Sequence, residues 1–504
     1  MRYRVRLALV LASALPIALD SARAQLITVK SAPIADGGQF AFFPSANLGM
    51  GGVSIALPDS TLDPFANPAK AARLGGVRVF GAPTFFNVNR KAGGGLTLPL
   101  GTSYSRGAWF TQLMVAMQDI DRASNGNGGV FTPNPLAAGS ADVVSVTNAG
   151  KTSRENRYVH GLLGRRLGRG VSVATSASWW RLNALDGVEL YYPTSQAIRQ
   201  QGQASDLRLG LLKEMGRGQS LEAVILHNRL AMNQDVAFAD AFWDPTLRQF
   251  TIRGRLEPNA DETETWGLHV AYLRPLADST WRVGAMLTGN RITQPRLPDY
   301  QLPQVPADAG QSQAYNIGGG VSRTTGPWTM GFDAIYEPIW SRTWVRADET
   351  TQALDGSAIV AGAKTLDSRF RFHNGIARLG VGAAVPMAKG QTLTFETGGQ
   401  LRAIRYRLEQ RDMVQQSSSA STQHWNEWTR SWGISYRLAG AAMHYRGNLT
   451  TGASRPGFDD AGNVVFASTL DSRPGFVSSA VPFGLRFGKV RTTTHQISFS
   501  IPLR

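Results

Sequence analysis

The sequence predicts an all-β chain, a transmembrane antiparallel β-barrel of 14–16 strands with an N-terminal plug segment. Three observations carry that prediction. Apolar and polar residues alternate with period two over long segments, which sets side chains on opposite faces of a strand. The connections between these segments alternate between tight turns and long polar loops, as in barrels that cross a membrane. Charged residues are only 17% of the 504 residues, against about a quarter in soluble proteins, while hydrophobic residues are 42% and mean hydropathy is −0.17.

The elements follow in order. Residues 1–24 have the parts of a secretory signal: Arg2, Arg4 and Arg6, an apolar run from Leu7 to Leu19, and Ala22-Arg23-Ala24 as a small-residue cleavage site. The apolar run is too short to span a bilayer as a helix. Cleavage is expected after Ala24, with the bacterial outer membrane as destination. Residues 25–75 do not alternate and are expected to form the plug. Residues 76–504 are expected to form the barrel.

Within the barrel, Trp266, Leu268, Val270 and Tyr272 share one face, and so do Trp281, Val283, Ala285 and Leu287. Trp328, Met330, Phe332, Ala334 and Tyr336 do the same, as do His495, Ile497, Phe499, Ile501 and Leu503. Two segments change phase, Leu393–Glu409 near Ala403 and Phe370–Val385 near Ile376. An extra residue at a β-bulge flips the faces in this way. Tight turns fall at Ser105–Gly107, Arg165–Gly170, Met215–Gln219, Pro275–Ser279, Thr324–Pro327, Met387–Gly390 and Ala439–Ala441. Long loops are expected at 122–153, 183–204, 233–261, 293–310, 346–366, 411–424 and 451–490. Seven turns give fourteen strands, the segment 491–504 a fifteenth, and Val77–Val88 a sixteenth, with fourteen as the lower bound.

A soluble sandwich, propeller or solenoid is disfavoured by strand length, by the lack of a repeat, and by tryptophans at strand ends: Trp109, Trp266, Trp281, Trp328, Trp340, Trp344, Trp428 and Trp432. Such residues collect at membrane interfaces. Lipid cannot satisfy backbone N–H and C=O groups, so the sheet must close. The polar face then lines the lumen, with Arg282, Asn290, Asp333, Glu337, Gln400 and Arg402 as candidate lining residues.

The N-terminal segment reads Gln39-Phe-Ala-Phe-Phe-Pro-Ser-Ala-Asn-Leu-Gly-Met-Gly-Gly52, then Val53 to Asp59, then Leu62-Asp-Pro-Phe-Ala-Asn-Pro-Ala69. Its candidate ligand or hatch residues are Phe40, Phe42, Phe43, Leu48, Gly49, Met50, Gly51, Gly52, Asp59, Asn67 and Pro68. Leu48-Gly49-Met50-Gly51-Gly52, Asp59 and Asn67-Pro68-Ala69 stand in an order that resembles the start of the FadL-like outer-membrane family, which includes hydrophobic-compound transporters and PorV-type barrels. The resemblance implies that this segment folds into the lumen as a hatch. It implies either uptake of long-chain fatty acids or other hydrophobic molecules, or docking of a secretion machinery or exported proteins. The family transporters have fourteen strands, and many outer-membrane barrels end in an aromatic residue where this chain ends Pro502-Leu503-Arg504.

Other chemistry finds no support. With no cysteine, disulfides, thiolate metal sites and cysteine nucleophiles are excluded. The seven histidines form neither an H-E-x-x-H zinc motif nor a histidine–serine pairing suited to an outer-membrane lipase. No phosphate loop or calcium loop is complete. No enzyme activity, cofactor or metal is expected. The net charge of +16 is not gathered into one run, so nucleic acid is not an expected partner. Outer-membrane lipid, the phosphates of lipopolysaccharide, the outer-membrane assembly machinery and a hydrophobic small molecule are.

Overall fold

The computed structural model describes residues 27–30, 38–88, 93–121, 154–186, 197–244, 246, 248–277, 280–294, 309–347, 349–387, 390–438, 440–456 and 487–503. The predicted export signal, 1–24, lies outside the described residues, as do most of the loops predicted at 122–153, 293–310 and 451–490.

The strands are β1 Gly76–Gly81, β2 Thr84–Val88, β3 Gly93–Arg106, β4 Trp109–Asp121, β5 Arg154–Gly168, β6 Val171–Leu182, β7 Ala197–Met215 and β8 Gln219–Asp244. There follow β9 Gln249–Pro275, β10 Trp281–Gln294, β11 Ala309–Thr325, β12 Trp328–Arg346, β13 Thr351–Gln352, β14 Ala358–Ile359, β15 Lys364–Pro386, β16 Thr392–Asp412, β17 Ser417–Leu438, β18 Ala441–Pro456 and β19 Phe487–Leu503. All pairings are antiparallel. β13 and β14 form a small hairpin of their own, and the rest make one closed sheet. β1 and β2 occupy a single wall position, each pairing with β19 on one side and β3 on the other, so the barrel has 16 strands. The break between them falls at Ala82-Pro83. There the ladder lacks the N–H of Pro83 and, on the facing strand, that of Pro99.

The wall is inside out relative to a soluble sheet. Leu96, Leu98 and Leu100 on β3 and Trp109, Leu113, Val115 and Met117 on β4 are exposed on the outer surface. Gln112, Gln118, Asn156, His160, Ser176 and Ser178 are buried inside. The expected faces hold: Trp266, Leu268, Leu287, Phe332, Ile497 and Ile501 are exposed outside, while Thr265, His269, Thr288 and Ser498 are buried within. An exterior of this kind is stable only in lipid, where burial of apolar surface is worth about 25 cal/mol per Å². The chain is a membrane-spanning β-barrel.

The seven expected tight turns fall between paired strand ends at one end of the barrel, with 278–279, 388–389 and 439 outside the described residues. Gly107 and Gly326 enter theirs with φ of +59° and +54°, a backbone conformation that suits glycine. Trp109, Trp281 and Trp328 sit at that end of the outer surface. Trp179, Trp266, Trp340 and Trp428 form the second ring, and Asp119, Glu155 and Arg157 lie just beyond the apolar band. Trp432 lies between the rings. Trp344 lies beyond the second, under the Lys364 ammonium 4.7 Å from its ring.

Two expectations fail. The predicted bulges near Ala403 and Ile376 are absent: Phe372 faces Tyr406 and Gly375 faces Ala403 in one unbroken register. Bulges fall elsewhere, at Arg166/Gly168, Val345/Arg346 and Thr450/Ala453. What changes is the surroundings. β15 and β16, at 23 and 21 residues, are longer than the roughly 9–11 residues that a tilted strand needs to cross lipid. From the level of the second tryptophan ring outward, the outer face carries Arg369, Arg371, Arg405 and Arg407, while the inner face becomes apolar with Phe370, Phe372, Ile404, Tyr406 and Leu408. Second, the expected loops 233–261 and 411–424 are largely strand. β8 and β9 run to Asp244 and from Gln249, and β16 and β17 meet across 413–416. The sequence does not alternate there, so pattern alone did not mark these segments as strand.

Candidate functional site

Residues 38–75 fill the lumen beside the short-turn half of the wall. The segment carries a 3-10 turn at Leu48–Met50, a short helix α1 at Asp63–Ala66 with Pro64 in its first turn, and a 3-10 run at Pro68–Arg73 opened by the Asn67 side chain, which accepts from Ala69 N at 3.0 Å.

Glycine on both partners lets the Leu48–Met50 turn touch the wall. A Cβ on Gly49 would meet Glu396 Oε2 at 2.5 Å, and one on Gly51 (φ +72°) would meet the carbonyls of Leu379 and Gly399 at 2.7 Å. From the wall side, a Cβ on Gly380 would meet Met50 O at 2.2 Å and one on Gly398 would meet Gly51 N at 2.4 Å. Gly51 N donates to Ser431 Oγ at 2.8 Å. Gly52 has the same left-handed backbone, φ +71°, but no wall atom near its Cβ position. Leu48 is half-buried.

Asp59 ties the segment to itself. One carboxylate oxygen accepts from Ser45 Oγ at 2.7 Å, Ala46 N at 2.7 Å and Asn47 N at 3.0 Å. The other accepts from Thr61 N, Thr61 Oγ1 and Leu62 N at 3.0, 2.7 and 3.1 Å. Asn47 Nδ2 closes the loop on the carbonyls of Val53 and Leu57 at 2.9 and 2.8 Å.

Charged wall residues then hold the segment. Asp333 Oδ2 accepts from Ser54 N at 2.8 Å and Ile55 N at 3.3 Å. Arg446, whose side chain is 0% exposed, pairs with Glu396 at 2.9 Å and donates to Ala46 O at 3.1 Å. Arg208 is paired with Asp206 at 2.6 Å and donates to the Phe65 and Ala66 carbonyls at 2.8 and 2.9 Å. Asn67 Nδ2 donates to Glu222 at 2.9 Å and to Leu211 O at 3.2 Å. Lys70 bridges Glu222 at 2.9 Å and Asp63 at 3.4 Å. Burial, only partly offset by Lys70, pushes the Asp63 carboxyl up to about 6. Burial works to lower Lys70, but Asp63 and Glu222 outweigh it and hold the ammonium above the ordinary lysine value.

Of the lumen candidates, Asp333 is a contact of the N-terminal segment. Glu337 and Arg402 pair at 3.0 Å, and Gln400 accepts from Arg378 at 2.8 Å. Asn290 is buried on the inner face. Arg282 has inward parity but stands exposed at the short-turn end, away from this set. Arg208, Glu222, Glu396, Arg446 and Asn47 were missed from sequence. Glu396 shares parity with Gln400 and Arg402, so its place was open to reading. Arg208 shares parity with Asp206, and Arg446 with His444, so their inward placement was open to reading as well.

Aromatic side chains pack two lumenal regions. Phe42 lies 4.6 Å from Tyr158 between ring centroids, and Phe43 lies 4.6 Å from Phe65, which continues to Phe80 and His160. Phe40 stays 36% exposed and stacks on Trp180 at 5.6 Å. Toward the long-loop end, Phe370, Phe372 and Tyr406 form the second region. Ile27 is buried against it, and Lys30 is fixed by Glu427 at 2.6 Å. A narrow cleft between the N-terminal segment and the wall near the β1–β2 break is lined by Pro44, Phe65, Phe80, Gln112, His444 and Ser498, among others.

No family model matches this sequence, and no curated protein matches it. Solved structures align over most of its length. A FadL homologue of Pseudomonas aeruginosa is matched at 10% identity over 92% of this chain and 100% of that one, with a TM-score of 0.44. The CymD monoaromatic hydrocarbon channel is matched at 10% identity over 93% and 99%, with a TM-score of 0.38. The ferric-catecholate import receptor Fiu of E. coli K12 is matched at 7% identity over 85% and 82%, with a TM-score of 0.36. The barrel assignment rests on the chain's own closed ladder and inverted faces.

Proposed function

We propose that this barrel sits in the bacterial outer membrane, exported by residues 1–24, and passes hydrophobic small molecules from the long-loop side to the short-turn side around a lumenal hatch. The observation that carries the reading is the apolar lining inside the long-loop half: Phe370, Phe372, Ile404, Tyr406 and Leu408 face inward where a polar pore would carry hydrated side chains. Ligand sites for such molecules are mostly apolar with a few polar anchors, and the cleft past the hatch offers Phe65 and Phe80 beside Gln112 and Ser498. The glycine contacts and Asp59 knot keep the hatch seated. The FadL-like order of Leu48 to Ala69 supports the same reading.

The test is uptake of a labelled long-chain fatty acid and a labelled aromatic hydrocarbon by cells with and without the protein. Faster uptake of either, lost in the deletion strain, is expected. Equal uptake of both overturns the proposal. Mass spectrometry of molecules that co-purify with the folded barrel then identifies the substrate class.

A second reading, a docking barrel for secreted proteins, has one observation in its favour. β8 and β9, at 26 and 27 residues, are the longest strands. At about 3.3 Å per residue they project well past the second tryptophan ring. Stoichiometric recovery of a protein partner that is lost when this hairpin is shortened would favour it.

A further inference from the structure

The outer wall at the edge of the apolar band carries basic side chains that neither the hatch nor the lumen uses. On β15 and β16, Arg371 stands directly across from Arg407, and His373 and Arg405 are the next outward residues toward the short-turn end of the two strands. Arg405 in turn faces His424 on β17. All five side chains are exposed on the outward face. Like charges directly opposite one another on an antiparallel pair are destabilising, so the Arg371–Arg407 rung carries a cost that an ion pair relieves on the Arg407 side alone. The rung beyond them is neutralised: Asp367 takes Arg342, Lys364 at 3.6 Å and Arg369 at 3.8 Å. Glu409 takes Arg407 at 3.0 Å. Among the described residues, neither Arg371 nor Arg405 has a carboxylate partner.

The height of the block defines its surroundings. Arg371 is in register with Trp340 of the second tryptophan ring, and His373 Nδ1 lies 2.6 Å from the Tyr336 hydroxyl. On the same outer faces, toward the short-turn end, follow Leu379 (58% exposed), Phe395 and Phe332. An amphiphile whose acyl chains lay on that band would bring its headgroup to the arginines. Guanidinium forks match phosphate oxygens in geometry and charge, and at a membrane interface the lipid supplies the anion at high local concentration.

We propose that Arg371, Arg405 and Arg407 form a binding site for the phosphate groups of a phosphorylated, multiply acylated glycolipid in the leaflet on the long-loop side. The proposal rests on the membrane orientation given above. A free soluble phosphate would gain nothing from the apolar band beneath, so the lipid is the assigned source.

The experiment uses the full barrel purified in detergent and stripped of lipid. It is incubated with mixed micelles holding a bisphosphorylated glucosamine lipid, the same lipid without phosphates, or inorganic phosphate alone, and retained lipid is measured by native mass spectrometry. Wild type is expected to retain the phosphorylated lipid, and inorganic phosphate at matched concentration is expected not to displace it. The triple change Arg371→Gln, Arg405→Gln, Arg407→Gln is expected to weaken retention by about tenfold or more, the loss of one or two charge-assisted contacts. The corresponding Arg→Lys triple variant is expected to recover part of it. Heat-modifiable migration on a gel checks that each variant is a closed barrel. Equal retention by the Gln variant, equal retention of the dephosphorylated lipid, or displacement by inorganic phosphate would each overturn the proposal. Binding is read on purified protein, so failure of the uptake reading in cells leaves this result independent.

Discussion

Lys70 Nζ lies 2.9 Å from Glu222 Oε1, joining the last turn of the hatch to the inner face of β8. Both side chains are largely buried, and Asn67 donates to the other oxygen of the same carboxylate. Removing one partner of a buried pair costs up to about 3–5 kcal/mol, of which Asp63, 3.4 Å from Lys70, offsets a part here. Glu222→Ala should therefore loosen the hatch while the wall ladder stays intact. Limited proteolysis should cut between residues 38 and 75 in the variant and not in wild type, with heat-modifiable migration unchanged in both. An uncut hatch in the variant would show that the pair is dispensable.

The same cluster makes hatch docking pH-dependent. Asp63 titrates at about 6 in the docked state against 3.8 for an ordinary aspartate. A folded-state value above the free one favours the protonated form. The docked hatch thus gains stability from this group below about pH 4 and loses it as pH rises through about 6, at about 1.4 kcal/mol per pKa unit. Hydrogen exchange of the hatch amides should be slower at pH 5 than at pH 8 after correction for intrinsic rates. Asp63→Asn should flatten the difference. A wild-type profile that does not change over this range would sink the argument.

The glycine seats make a steric prediction. Gly380→Val would set a Cβ 2.2 Å from Met50 O, against backbone that has no free rotor to move aside. The hatch must shift, and single-channel conductance in a planar bilayer should rise from a nearly closed baseline. Gly375→Ala, on the same strand with nothing within 4 Å of its Cβ position, serves as the silent control. Equal conductance of the two variants would place the seal elsewhere.

Much of this architecture was legible in the residues. Strand faces follow from alternation alone, and Trp266, Leu268 and Leu287 fell outward as read. Asp333 and Glu337 were placed on the lumenal side by parity, but parity cannot say that Asp333 would cap two hatch amides, since that contact joins positions 54 and 333. Asp59 and Asn67 were reached through the hatch motif. Arg446 was not, because its partner Glu396 and its hatch contact Ala46 are distant in sequence and only closure brings them together. The long-loop half misled for a physical reason. A bulge that turns an apolar face away and a straight strand that leaves lipid for water produce the same change of phase, and only the register separates them.

That ambiguity has a direct chemical test, because the chain contains no cysteine and any thiol introduced is unique. In the unbroken register, Arg405 and Arg407 point out to water while Ile404 and Tyr406 are buried in the lumen. A bulge at Ala403 would exchange those places and put Ile404 and Tyr406 on the outer surface. Arg405→Cys and Arg407→Cys should react rapidly on intact cells with a maleimide too bulky to enter the lumen. Ile404→Cys and Tyr406→Cys should react slower by about tenfold or more, since a buried thiol must wait for local opening. Denaturation should bring all four to the same rate. Fast labelling at 404 and 406 with protection at 405 and 407 would restore the bulge and remove the apolar lining from the lumen. Phe372 then carries the argument to transport. Phe372→Glu puts a charge into that lining and should reduce hydrophobic uptake, whereas Arg369→Gln, nearby on the outer face, should leave uptake unchanged.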